Sequence, residues 1–266
     1  MFKIFTITAL AFLQLFAGVY YAKIEPLNSV SLKASVSGEV QEVAKELEGK
    51  FSQGGVVVKI DDILDNTELQ TSKEKLISLQ KILEATKQNI KNAKEIEGLK
   101  EQSYERIKNL KTKSRLEKEN ELIALINAQN QSISLQNTLE NFKIQVSDLH
   151  FKIASLQDRI SKKNIQVQKD FYLYALHVER GDFVNIGTPL IDVFDLSKGK
   201  LTLFLLKEDV ELAKSGVVYI DGEPTNYKVH KIWNVADSQN ISAYKAEILI
   251  DAPKQFSQLL KVEFKP

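Results

Sequence analysis

The stretch from Asp62 to Lys163 constrains this chain more than any other. No proline occurs between Pro26 and Pro189, and Gly98 is the only glycine between Gly55 and Gly181. In its second half, apolar residues fall at Leu135, Leu139, Phe142, Val146, Leu149, Ile153, Leu156 and Ile160. Steps alternating between four and three form a heptad seam. Leu76, Leu79, Leu83, Thr86, Ile90 and Ala93 repeat the alternation in the first half, and its phase fades near Gly98.

A side chain returning every 3.5 residues stays on one stripe of an underwound helix, so each half owns a single greasy edge that needs a partner. The pattern breaks at Leu110–Arg115, near the midpoint, which makes the other half the nearest partner. The expectation is an antiparallel coiled-coil hairpin over residues 62–165, with arms of about 50 residues and roughly 75 Å at the helical rise.

On either side of this rod the chain repeats itself. Gly49 and Gly55 enclose the same spacing as Gly181 and Gly187. A phenylalanine follows the first glycine by two in each copy (Phe51, Phe183), and an apolar residue follows the second by three (Val58, Leu190). Such an echo speaks for two halves of one small β sandwich, with the glycines allowing tight turns. Val30, Leu32, Ala34 and Val36 alternate with polar residues ahead of the first copy, the period of a half-buried strand. The expected halves span 28–61 and 170–195. From 196 to 266, alternation at Leu201–Leu205 and Tyr244–Ile250, a short helical segment at Glu208–Lys214 and the Asp221–Gly222 turn predict a small β domain.

Residues 1–22 open with Lys3 and continue as an apolar run from Ile4 to Ala22. One positive charge before such a run is the form of a secretory signal, and its length also approaches the roughly 20 residues of a retained membrane anchor. Ala17 and Ala22 are the candidate cleavage positions, with Leu15 and Tyr20 at their −3 sites. Either version carries the remainder across a membrane.

Composition excludes several classes. Net charge is +1 and only four of the 36 basic residues are arginine, which speaks against nucleic acid. With no cysteine there is no disulfide, thiolate metal site or lipid-bearing cysteine. His150, His177 and His230 stand apart in sequence, no phosphate-binding loop occurs, and no cofactor or metal is expected. Asp61 and Asp62 stand where a helix begins and read as caps.

A split lipoyl-like domain interrupted by a helical hairpin, behind an export segment, resembles the membrane fusion proteins, the HlyD-type periplasmic adaptors. The halves that carry the likeness are Val40–Asp61 and Tyr172–Asp195, and the tip adds Arg106, Leu110 and Ser114. Ser114 follows Leu110 by four residues, a shorter gap than in the drug-efflux branch. The resemblance implies an elongated α+β fold: coiled-coil hairpin, split lipoyl-like domain and following β-barrel domain. It also implies a non-enzymatic adaptor between an inner-membrane transporter, ABC-type favoured, and an outer-membrane channel of the TolC type. By the same likeness the chain works in the periplasm of a Gram-negative bacterium, associated with the inner membrane, as a homo-oligomer of six.

Residue roles follow from that likeness. Arg106, Leu110 and Ser114 would touch the channel; Leu139, Phe142, Val146, Leu149, Ile153 and Leu156 would hold the hairpin straight; Gly49, Gly55, Gly181 and Gly187 would shape the lipoyl-like turns. Two other readings compete: an exported coiled-coil protein with a structural role, and a lipoyl or biotinyl carrier. A carrier presents a modifiable lysine between its halves, where this chain has about a hundred helical residues.

Overall fold

The computed structural model describes residues 18–237, 240 and 242–266. In chain order the elements are β1 (Val19–Lys33), β2 (Gly38–Val43), β3 (Gly55–Ile60), helices α1 (Ile63–Ile107) and α2 (Arg115–Lys163), β4 (Asn164–Val167), β5 (Tyr172–Leu176), β6 (Phe183–Val184), β7 (Pro189–Leu206), the short helix α3 (Val210–Ser215), β8 (Val217–Ile220), β9 (Glu223–Pro224), β10 (Val229–Ala236), β11 (Ala243–Asp251) and β12 (Leu259–Lys265).

The two glycine-marked segments meet, although about a hundred residues separate them. Gly38 and Glu39 of β2 pair with Val184 and Phe183 of β6. Gly181 donates its amide to the Val40 carbonyl and Val40 donates to Asp182. Gly49 donates to Leu173, and Ser52 to Phe171. Val40, Val57, Val58 and Ile60 from the first half share one core with Leu173, Val184, Leu190 and Ile191 from the second. The echoed apolar positions Val58 and Leu190 are both fully buried, while Phe51 and Phe183 are exposed. Gly49, Gly55, Gly181 and Gly187 all have positive φ, between 74° and 118°, which a residue with a Cβ adopts only with strain.

The second core lies in the C-terminal domain, where strands run in the order β10-β11-β7-β1-β12-β8-β9. Leu201, Leu203 and Leu205 of β7 point into it with Ala246, Ile248 and Phe264. Helix α3 packs against β10 and β12 and puts Ala213 into the same core. Asp221 and Gly222 both take positive φ between β8 and β9, as a two-residue hairpin turn of type I′ requires.

Three boundaries differ from the sequence reading. The C-terminal domain is not confined to 196–266: β7 crosses residue 196 without a break, and the Val19–Lys23 part of β1 pairs with β12. Apolar alternation has no reason to stop where one core gives way to another, so both long strands serve two domains. Of the segment 1–22, residues 1–17 lie outside those described, and Val19–Ala22 are strand. The second arm ends at Lys163 rather than 165, and Asn164–Val167 pairs with β3.

Candidate functional site

The hairpin begins where Asp61 turns the chain out of β3. Its Oδ1 accepts the Ile63 amide at 3.0 Å and the Gln41 side-chain amide at 2.8 Å, so Asp61 does the capping, while Asp62 is buried near Lys59. At the standard rise, the 45 residues of α1 and 49 of α2 extend about 68 and 74 Å. Leu156 is buried, and Leu135, Leu139, Phe142, Val146, Leu149 and Ile153 are half-buried against α1. Two strands cover a seam from one side only, which explains the partial exposure.

Contrary to the fading apolar pattern, the geometric repeat runs straight through Gly98. Half-buried positions continue at Glu97, Lys100, Tyr104 and Ile107. The helix stays unbroken there, and polar Glu97 and Lys100 join Tyr104 and Ile107 on the stripe.

The root carries a charged clasp that sequence reasoning missed. Asp65, 7% exposed, meets Arg159 Nη2 and Lys163 Nζ, each at 2.6 Å. Lys163 also donates to the Asp61 carbonyl. Glu68 pairs with Lys152 at 2.8 Å and with Arg159 at 3.5 Å, and the Lys152 contact lowers its pKa. Each pair lies nearly equidistant in sequence from the 108–114 turn, so the register of an antiparallel hairpin was the signal that would have found them.

At the other end α1 closes at Ile107, and Leu110 belongs to the connecting turn, its amide bonded to the Ile107 carbonyl at 3.0 Å. Leu110 therefore does not share a helix face with Arg106, and it is 45% exposed. Arg106 leans back on its own helix, donating to the Gln102 carbonyl and to Ser103 Oγ, both at 3.3 Å. Ser114 is the N-cap of α2: its Oγ accepts the Glu117 amide at 3.2 Å and Glu117 Oε2 accepts the Ser114 amide at 2.8 Å. This reciprocal capping box was legible as Ser-Arg-Leu-Glu. The Lys113 ammonium, then the Ser114 amide and hydroxyl, hold the Glu117 carboxyl down at about 2. The tip thus offers Leu110 and Leu116, both exposed, among Arg106, Lys108, Lys111, Lys113 and Arg115.

Of the histidines, His177 is held by a carboxylate. His177 Nε2 lies 2.8 Å from Asp192 Oδ2, and His177, then Ser31, lower the carboxyl's pKa. Among the described residues no cluster of His, Asp and Glu could hold a metal ion, and no helix is long and apolar enough to cross a membrane.

No family model and no curated protein sequence matches the chain. Solved structures do. MacA from Actinobacillus actinomycetemcomitans superimposes with a TM-score of 0.62 at 20% identity, over 93% of this chain and 78% of that one. A MacA-MexA chimera containing the Pseudomonas aeruginosa MexA α-hairpin domain gives 0.60 at 17%, over 94% and 81%. The membrane fusion protein Spr0693 from Streptococcus pneumoniae R6 gives 0.55 at 12%, over 94% and 99%. At these identities the likeness is one of fold: a helical hairpin rooted in a β domain built from two separated chain segments, followed by a second β domain.

Proposed function

We propose that the chain is a periplasmic adaptor that does no chemistry and links an inner-membrane transporter, ABC-type favoured, to an outer-membrane channel of the TolC type. The observation that carries this reading is the joining of 38–61 and 172–193 into one core from which a rod of about 70 Å projects. Both ends of the rod return to the same small domain, so only its tip is free to meet something distant. That tip presents Leu110 amid basic side chains, a surface suited to an apolar pocket with acidic neighbours.

Copies of the chain stand side by side around a conduit, in a ring of six by analogy of fold, because repeated heterologous contacts close by rotation. Ile123, Ile133, Ile144 and Phe151 support lateral packing: all are exposed on α2, away from the seam with α1.

The test is Leu110→Asp with a cysteine crosslinking series at residue 112. The variant is expected to keep circular dichroism and thermal melting unchanged while export stops, and residue 112 to crosslink to an outer-membrane channel. Undiminished export by Leu110→Asp would remove the tip from the mechanism; loss of folding would make Leu110 structural.

A further inference from the structure

The end of the molecule farthest from the hairpin has a layered surface. β1 and β7 run through both β domains, and their outer ends, Val19 and Leu206, lie at the far rim of the C-terminal domain, where the Tyr20 hydroxyl accepts the Leu206 amide at 3.0 Å. Strand register carries that rim around the sheet. Ala243 of β11 pairs with Leu206, Ala236 of β10 with Tyr244, Glu263 of β12 with Val19, and Val217 of β8 with Lys265.

Four side chains on this rim are apolar and open to solvent. Val19 is 47% exposed, Leu206 49%, Val217 42% and Val235 78%. Val235 stands in a bulge, because the segment of β10 from Ile232 to Ala236 faces only Ala246 to Tyr244 of β11. Single exposed valines are ordinary on a protein surface; four gathered from four strands on one rim mark a contact surface.

Behind the rim sits the chain's single tryptophan. Ile232 packs into the core, so its neighbour Trp233 faces the outer wall, half-buried, with the Lys231 and Lys245 ammonium groups 4.2 and 4.6 Å from its ring. Lys245 pairs with Phe204, two residues before Leu206, which puts this belt about 7 Å behind the rim at the strand rise. An apolar edge with indole and ammonium one step back is the order of groups met on passing from acyl chains into the headgroups of a bilayer.

Charge selects the kind of lipid. Glu211 pairs with Lys214, Glu247 with Lys245 and Glu263 with Lys265; Glu208 adjoins Lys207, Asp237 offsets Lys231, and the buried Asp209 is held by the Tyr20 hydroxyl. An end so balanced gains little from an anionic surface potential. Ammonium and carboxylate groups side by side instead match the phosphate and ammonium of a zwitterionic headgroup.

We propose that this end of the C-terminal domain rests on a zwitterionic phospholipid surface, its four apolar rim side chains entering the acyl boundary and Trp233 with its two lysines lying among the headgroups. The Lys245–Glu247 pair limits the depth, because charge is costly among acyl chains. The inference rests on the adaptor reading and deepens its inner-membrane end. Crosslinking at residue 112 tests the opposite end, so either result can fail without the other.

The full chain is mixed with vesicles of phosphatidylethanolamine and phosphatidylcholine, and the emission of Trp233 is read with no second indole to obscure it. A blue shift is expected, with quenching by lipids brominated high on the acyl chain. Quenching reports where the ring itself lies, so a tether elsewhere in the chain cannot imitate it. Val235→Asp and Leu206→Asp should each abolish the quenching and leave thermal melting unchanged, since both side chains are exposed. An unshifted and unquenched spectrum, quenching that survives both variants, or quenching that requires phosphatidylglycerol would overturn the inference. So would a cysteine at residue 235 that crosslinks to a membrane protein while Trp233 stays unquenched, an outcome that gives this end to a protein partner.

Discussion

The root and the distal half of the hairpin belong to the same two unbroken helices but are held by different forces. At the root, Asp65, Glu68, Lys152, Arg159 and Lys163 tie the arms together, and Leu76, Leu79, Leu149 and Leu156 fill the stripe between them. Beyond Ala93 the ion pairs among the described residues stay within one arm. There the stripe holds Glu97, Lys100, Gln129 and Ser132, and one Glu121 oxygen is shut from solvent without a hydrogen-bond partner. The arms also diverge: α2 carries no charged residue from Leu122 to Leu139, whereas the facing part of α1 is dense with lysine and glutamate. The contrast teaches that heptad geometry alone does not set stability along a coiled coil. Cross-arm ion pairs clasp the root, whereas in the distal half the arms meet through a stripe that mixes polar side chains with the buried Leu125.

The largest test of that contrast is Asp65→Ala. Lys163, its side chain 14% exposed, would be left without its carboxylate, and losing one member of a buried pair costs about 3–5 kcal/mol. Urea unfolding should show it; a loss below about 1 kcal/mol would place the clasp in the class of surface pairs. Leu156→Ala comes next, at about 2–4 kcal/mol because its side chain is buried. Leu149→Ala should cost less, since Leu149 is half-exposed; equal losses would erase the distinction between the two seam positions.

In the distal half the sign reverses. Gly98 sits in mid-helix, and an added methyl would meet nothing within 4 Å, so Gly98→Ala should raise stability by about 0.5–1 kcal/mol. Hydrogen exchange of α1 amides near residue 98 reads the gain, and unchanged exchange would show that glycine is not what loosens this half. The smallest effect is at the tip. Ser114→Ala removes the N-cap at a cost of about 1 kcal/mol, visible as faster exchange of the first α2 amides. Because the Glu117 pKa is depressed to about 2, its part of the cap is present above the unfolded value near 4.3 and lost as pH falls through the folded one. Tip protection that collapses already near pH 5 would contradict the box.

Much of this was legible beforehand. The heptad steps of α2 and the absence of proline located the hairpin, and the paired glycines located the two halves that meet. Ser114 and Glu117 stood at capping-box spacing. The clasp was not legible, since Asp65 and Arg159 look like solvated helix charges until the arms are set in register. Nor was the continuity of β7 past residue 196, because alternation along a strand reads the same whether it faces one core or two.

The sequence by itself determined periodicity: which segments are helix, which positions form a stripe and where tight turns fall, because these depend on neighbours a few residues apart. Tertiary structure alone decided which distant charges become partners, how far β1 reaches into the apolar run, and that Asp209 lies against Gly18. Those outcomes depend on contacts between residues more than eighty positions apart, whose free energy exists only once the chain has closed on itself.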